Sequence, residues 1–260
     1  MPDLMPLLFI GHGSPMNVVQ QNDFTRRLAA LGKRLPRPRC ILVISAHWET
    51  EGSFVTGSAH PKQIYDFYGF PDELYEIVYD PPGSLHDANH VAALGGSLPV
   101  ALDTGWGIDH GSWAVLRHIY PRHDIPVIQL SLDASKDETE HFQLAPFLLP
   151  LRSEGVLIIG SGNIVHNLRL LTWQQFGGET FAWARTFDEQ VKEALEDQNN
   201  DLLVRYDSRD RDTSALAVPT NEHYLPLLYV AALRQNSERI EHFHEGFQHG
   251  SISMRSFLVR

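Results

Sequence analysis

The sequence predicts an α/β fold: a single domain over residues 1–260, with a central sheet flanked by helices on both faces. Two patterns carry that expectation. Short apolar runs bounded by glycine, proline or charge read as strands buried on both faces, and segments of helical period alternate with them. The length of 260 residues is the third observation, because a single core grows up to roughly 250–300 residues before chains split into domains.

In chain order, the apolar runs predict strands at Leu7–Gly11, Arg39–Ala46, Gly52–Gly57, Val100–Asp103, Val127–Leu132 and Val156–Gly160, with late strands at Ile240–Phe243 and Ser253–Val259. Helices are predicted over Asp23–Arg34, Ser84–Leu98, Ser112–Ile119, Ser135–Leu151, Thr180–Asp197 and His223–Gln235. Asp23 and Ser84 are the expected N-caps, and Asp137 and Glu138 put acids in a first helical turn, where the macrodipole favours them. Two connections stand apart. Ser58–Gly83 interleaves four Tyr and two Phe with Pro, Gly and acids. Tyr65, Phe67, Tyr68 and Phe70 in it suit either plain packing or the wall of a pocket for a flat ligand. Asn199–Thr220, dense in Asp and Arg, reads as a surface connection within the domain.

Composition excludes several functions. With 21 Lys+Arg against 32 Asp+Glu, the formal net charge of −11 repels a phosphate backbone and an anionic membrane surface, so neither nucleic acid nor membrane is an expected partner. The single cysteine, Cys40, sits in an apolar run. That excludes a disulfide framework and a thiolate metal cluster, and a reducing, cytoplasmic setting is expected. No apolar stretch approaches the ~20 residues needed to span a bilayer, and the N-terminus lacks a signal-peptide pattern.

Histidine is the unusual count: 14 residues, about twice the ordinary share. Nine of them, His60, His86, His90, His118, His123, His141, His242, His244 and His249, lie among charged or turn residues and read as solvent-facing or capping groups. The other five share a geometry. His12 follows the first strand in "GHGSPM", His47 follows the second in "VISAHW", and His166 lies just beyond the sixth in "GSGNIVHNL". Ligands of open α/β sheets bind at the carboxyl ends of strands, so these three would converge on one crevice. His223 opens a helix in "NEHYLPLLY", and His110 sits in the loop "WGIDHGSW".

Imidazole nitrogens suit Zn²⁺ or Fe²⁺, and Glu222 would complete the two-histidine-one-carboxylate face of non-haem iron oxygenases. A divalent metal is the expectation. The glycine pieces match no phosphate-binding fingerprint and no lysine lies beside them, which argues against a nucleotide site. Ser14 and Ser161 lie outside a G-x-S-x-G nucleophile motif.

Taken together, "GHGSPM", "VISAHW", "DHGSW", "GSGNIVHNL" and "NEHYLPLLY" resemble the motif set of the class III extradiol ring-cleaving dioxygenases, in the branch named for 4,5-DOPA extradiol dioxygenase. The similarity runs from Leu8 to the Ser251–Phe257 segment. It implies a mostly parallel or mixed central sheet with one metal site at the C-terminal ends of the strands. It implies that His12, His47, His166 and His223 are associated with the metal, and that His110 is an acid/base residue near the substrate or a support behind the ion. More distant class III enzymes complete the ligand set with a glutamate, which leaves His166 and Glu222 open between ligand and catalyst. The resemblance further implies Fe²⁺ in catalysis, Zn²⁺ as an ion that such sites take up, O₂ as co-substrate and a small aromatic diol such as L-DOPA as substrate. Two rivals stand beside it. The same histidines would serve a zinc hydrolase, which needs no oxygen, or a non-catalytic metal- or small-molecule-binding protein with a closed ligand shell.

Overall fold

Four parallel strands form the centre of the structure, in the order β5-β2-β6-β1: β1 is Leu7–Gly11, β2 Cys40–Thr50, β5 Val127–Asp133 and β6 Val156–Gly162. In this computed structural model, which describes residues 4–96, 98–172 and 178–260, the sheet has eight strands. β3 (Ser53–Thr56) runs antiparallel to β5 and parallel to the outermost β4 (Val100–Asp103). On the other side, β10 (Ser256–Val259) pairs antiparallel with β1 and with the edge strand β7 (Ile240–His244). The sheet is mixed. Its parallel centre puts the carboxyl ends of β1, β2, β5 and β6 on one edge.

Alternating side chains divide the core in two, as the period of 2 in a strand requires. Leu7, Phe9, Leu42, Ile44, Val156 and Ile158 face one layer, where they meet α6 (Ala182–Glu196) and α9 (Leu225–Leu233). Leu8, Ile10, Ile41, Val43, Leu157 and Ile159 face the other, against Phe24, Leu28 and Leu31 of α1 (Asp23–Arg34) and Trp113 and Leu116 of α3 (His110–Ile119). Helix α9 reads "LPLLYVAAL" and has almost no polar face. A helix apolar all round belongs inside, and α9 packs against β6. Among the described residues no helix is long and apolar enough to cross a membrane.

Several elements differ from the sequence expectation, each for a local reason. Asn22, not Asp23, caps α1: its side chain accepts from the Thr25 N–H at 2.9 Å. Ser84 caps α2 (Leu85–Leu94) as expected, but that helix ends before Gly95, and residue 97 of the anticipated span lies outside the described residues. The anticipated helix from Ser135 breaks into α4 (Glu138–Leu144), a 3₁₀ turn at Ala145–Leu148 and α5 (Leu149–Ser153). Pro146 and Pro150 begin the new pieces, because proline lacks the N–H that would continue the ladder. The late strand splits. Ile252–Ser253 (β9) pairs with Phe247–Gln248 (β8), and only β10 enters the main sheet. Residues 199–220 carry α7 (Asn200–Val204) and α8 (Arg211–Ala217), with a 3₁₀ turn at Tyr206–Ser208 between them.

Not all nine ordinary histidines face solvent. His141 is fully buried, with Nδ1 3.0 Å from the Tyr229 hydroxyl. His242 on β7 is half-buried, and burial, reinforced by the Arg255 charge, pushes its pKa down to about 4. The unfolded chain protonates this group near the ordinary value of about 6.5. His242 therefore contributes stability above about 6.5, and that contribution is lost as pH falls toward 4. His242→Gln is expected to remove about one proton of uptake on unfolding at pH 5. Urea midpoints measured from pH 7 to pH 5 should accordingly fall less steeply in the variant.

Candidate metal centre

β6 lies between β1 and β2, so the chain segments leaving all three strands crowd together at one edge. The His12 N–H donates to Gly162 O at 3.1 Å, which continues the β1–β6 pairing one residue past the strand. Gly13 then takes φ +61, a conformation that glycine adopts without cost, and turns the chain away. His47 lies inside β2 and not after it. The register shifts beyond Ile44, so that Glu49 and Thr50 pair with Leu132 and Asp133.

His223 arrives from the far side of β6. It occupies the turn before α9, since Pro226 sets the helix start at Leu225. The Asn163 N–H donates to His223 O at 2.8 Å. A Cβ on Gly162 would lie 2.2 Å from that same oxygen. Glycine is thus the residue that lets this turn sit against the strand. His110 is not in a loop but is the first residue of α3, and Asp109 caps that helix by accepting from the Ser112 N–H at 3.1 Å.

Five histidines meet here. Ring centroids are 5.0 Å apart for His12 and His47, 5.5 Å for His12 and His223, and 4.1 Å for His47 and His110. His166 stacks on His223 at 3.5 Å with the planes 13° apart. Two groups have ligand atoms close enough to hold an ion, His12 with His47 and His110, and His166 with Glu222 and His223.

Hydrogen-bond partners assign the protons. Ser161 Oγ donates its one proton to Gly111 O at 2.5 Å, so toward His12 Nδ1, at 3.1 Å, it can only accept. His47 Nδ1 faces Asp66 Oδ2 at 3.2 Å, and His223 Nδ1 faces Glu222 Oε1 at 2.9 Å. Ionised carboxylates accept only. All three imidazoles therefore carry Nδ1–H and present a bare Nε2. The Nε2 atoms of His12 and His47 face each other at 3.1 Å, and that of His223 is buried with no partner. Opposed lone pairs repel, and an unpaired buried acceptor costs about 1–3 kcal/mol. Nitrogens bound about 2.1 Å from one ion would satisfy both conditions. The donor set fits a divalent metal.

Burial, and then the neighbouring imidazoles, hold His12 and His223 well below their ordinary pKa. His47 is pushed down to about 3 by burial and by His110, and His166 to about 4 by burial. These four imidazoles are neutral at physiological pH, which is the form that binds metals. Burial opposes ionisation of Asp66, but its hydrogen bonds and proximity to His110 and His47 outweigh burial and lower its pKa.

Asp66 and Ser161 were missed in the sequence as participants in the site. Ser161 lies in "GSGN", considered there only as a nucleophile, and Asp66 lies in the aromatic excursion. Of the four aromatics proposed for stacking, Tyr68 is 91% exposed. Phe67 packs edge-on against His110 at 5.4 Å, while Tyr65 packs on Trp113 at 5.7 Å.

The comparisons with known proteins fall on this same architecture. The family model described as the catalytic LigB subunit of aromatic ring-opening dioxygenase matches residues 6–255, and the chain belongs to that family. It is an aromatic ring-opening dioxygenase of the extradiol kind. A 4,5-DOPA dioxygenase extradiol of Escherichia coli (strain K12) is 46% identical over 259 residues, covering 98% of this chain and 94% of the relative. One of Beta vulgaris is 35% identical over 255 residues, covering 96% and 94%. The crystal structure of an uncharacterized protein of Escherichia coli K12 superposes with a TM-score of 0.84 at 42% identity, covering 98% of this chain and 99% of that one.

Gly162→Ala tests the close approach that seats His223. Overpacking against backbone is expected to cost roughly 1–3 kcal/mol, read as a lowered thermal midpoint, and a displaced His223 should weaken Zn²⁺ binding in a chelator competition.

Proposed function

We propose that the chain opens a catechol such as L-DOPA by 4,5-extradiol cleavage to a seco-DOPA semialdehyde, with O₂ as co-substrate and a divalent non-haem ion, Fe²⁺ in catalysis. The observation that carries this reading is a buried and neutral cluster in which the bare Nε2 atoms of His12 and His47 face each other at 3.1 Å, while the His223 ring lies with its centroid 5.5 Å and 5.1 Å from theirs and its Nε2 has no partner. These three would hold the ion. Zn²⁺ would occupy the same nitrogens. Glu222 supports the set by accepting the His223 Nδ1–H, and its carboxylate also accepts from the Thr220 hydroxyl at 3.0 Å.

His166 has a different place in this reading. Imidazole ligands bind through lone pairs in the ring plane, and the His166 and His223 planes run nearly parallel at a centroid distance of 3.5 Å. One ion cannot lie in both planes. We therefore assign His166, with His110, to proton transfer and not to the ligand set.

When bound, the ion supplies the positive charge that acidifies catechol hydroxyls and the redox chemistry that O₂ requires. His110 takes up a catechol proton at Nε2, because its Nδ1 already faces Asp66 Oδ2 at 2.8 Å. The carboxylate stabilises the imidazolium so formed, and His110 holds that proton at Nε2 for return to the ring-opened product. Phe67 packs edge-on against His110 and fixes the ring from its aromatic side. A small aromatic diol is the proposed partner and the cytoplasm the proposed location, in keeping with the buried, unbridged Cys40.

Anaerobic loading with Fe²⁺, followed by oxygen and L-DOPA, is expected to give O₂ uptake and a yellow ring-opened product. Absence of uptake with every simple catechol, together with metal-dependent ester hydrolysis, would replace this reading with the hydrolase one. His12→Ala is expected to lose both metal retention and turnover. His110→Gln should retain the metal while kcat falls by roughly 10²–10⁴, measured under saturating oxygen.

A further inference from the structure

The long segment between β3 and α2 delivers one acid to the crevice. We infer that Asp66 is a positioning residue that sets the tautomers of His47 and His110 together, tying the imidazole that holds the ion to the one that moves the proton. The inference rests on the ligand and acid/base assignment above.

A single oxygen does this work. Asp66 Oδ2 lies 3.2 Å from His47 Nδ1 and 2.8 Å from His110 Nδ1, while Oδ1 accepts the His110 backbone N–H at 2.8 Å. A carboxylate can only accept, so both rings must present Nδ1–H, and each ring in its neutral form leaves Nε2 bare. Sharing one acceptor also draws the two rings to a centroid separation of 4.1 Å. The bond to the His110 N–H anchors the acid on the first turn of α3. There the helix has donors without intrahelical partners, and its dipole favours a negative charge.

The rest of the segment acts as a mount for this carboxylate. Phe67 packs edge-on against His110, Trp113 Nε1 donates to Ile64 O at 2.9 Å, and the Tyr65 hydroxyl donates to Ile77 O at 2.7 Å. Residues on either side of Asp66 are thereby clamped to α3 and to the segment itself. The His12 and His223 tautomers are set by other residues, Ser161 and Glu222. Asp66 is the acid that serves two rings at once.

Asp66→Asn keeps the shape and removes this property. In either orientation the amide turns an NH₂ group toward a ring or backbone N–H, so a donor meets a donor. In ¹⁵N-histidine spectra of the metal-free wild type, His47 and His110 are both expected as Nδ1–H tautomers. In the variant at least one should switch to Nε2–H, and Zn²⁺ affinity in a chelator competition should fall 10- to 100-fold. Asp66→Glu, still a pure acceptor, is expected to keep both tautomers and to bind Zn²⁺ more tightly than Asp66→Asn. An Nε2–H tautomer at either histidine in the wild type, or unchanged tautomers with Zn²⁺ affinity within twofold in folded Asp66→Asn, overturns the inference. These readouts need no turnover. A wild type that opens no catechol would defeat the proposed reaction while leaving the tautomer result to stand by itself.

Discussion

His12 Nε2 and His47 Nε2 face each other at 3.1 Å, and much of the surrounding structure serves to keep them there. Left alone, two bare imidazole nitrogens would turn apart or share a proton. Neither is open to them, because each ring is pinned at its other nitrogen, His12 by Ser161 and His47 by Asp66. Burial adds to this, since desolvation disfavours the protonated form that would relieve the repulsion. The protein thus stores an electrostatic demand that a cation satisfies, and stability given up here becomes affinity there.

That arrangement depends on strand order. With β6 between β1 and β2, Ser161 on the middle strand can reach His12, and the His223 turn can lie against Gly162. Behind His47 and His110 runs a second buried polar layer. Asp109 accepts from Ser45 at 2.8 Å and from Gln129 at 2.7 Å, and its own N–H donates to Gln129 at 2.8 Å. Burial, with Asp66 nearby, raises the Asp109 pKa to about 6. A buried network with its hydrogen bonds made is rigid. Asp109 also caps α3, so the network fixes where that helix begins and hence where His110 stands.

Legibility varied with the range of the interaction responsible. Leu7–Gly11, Val100–Asp103 and Asp23–Arg34 have the observed bounds, because apolar period and end signals are local properties. Asp23 was mistaken for a cap since it stands beside Asn22 with similar chemistry, and only the hydrogen bond to Thr25 tells them apart. The β2 extension through His47 was unreadable because its partners, Leu132 and Asp133, lie more than eighty residues away. Asp66 was hidden in a run of aromatics whose packing gives no sequence sign of where an adjoining acid will point.

By itself the sequence determined the alternation of strands and helices, the acidic net charge, and five histidines in motifs that match a ring-opening family. Those features are local or additive, and so they survive being read one residue at a time. The tertiary structure decided which nitrogen each imidazole offers. A tautomer is set by the atom opposite Nδ1, and here that atom comes from β6 for His12 and from the segment after β3 for His47 and His110. Only for His223 does the neighbour in sequence, Glu222, supply it.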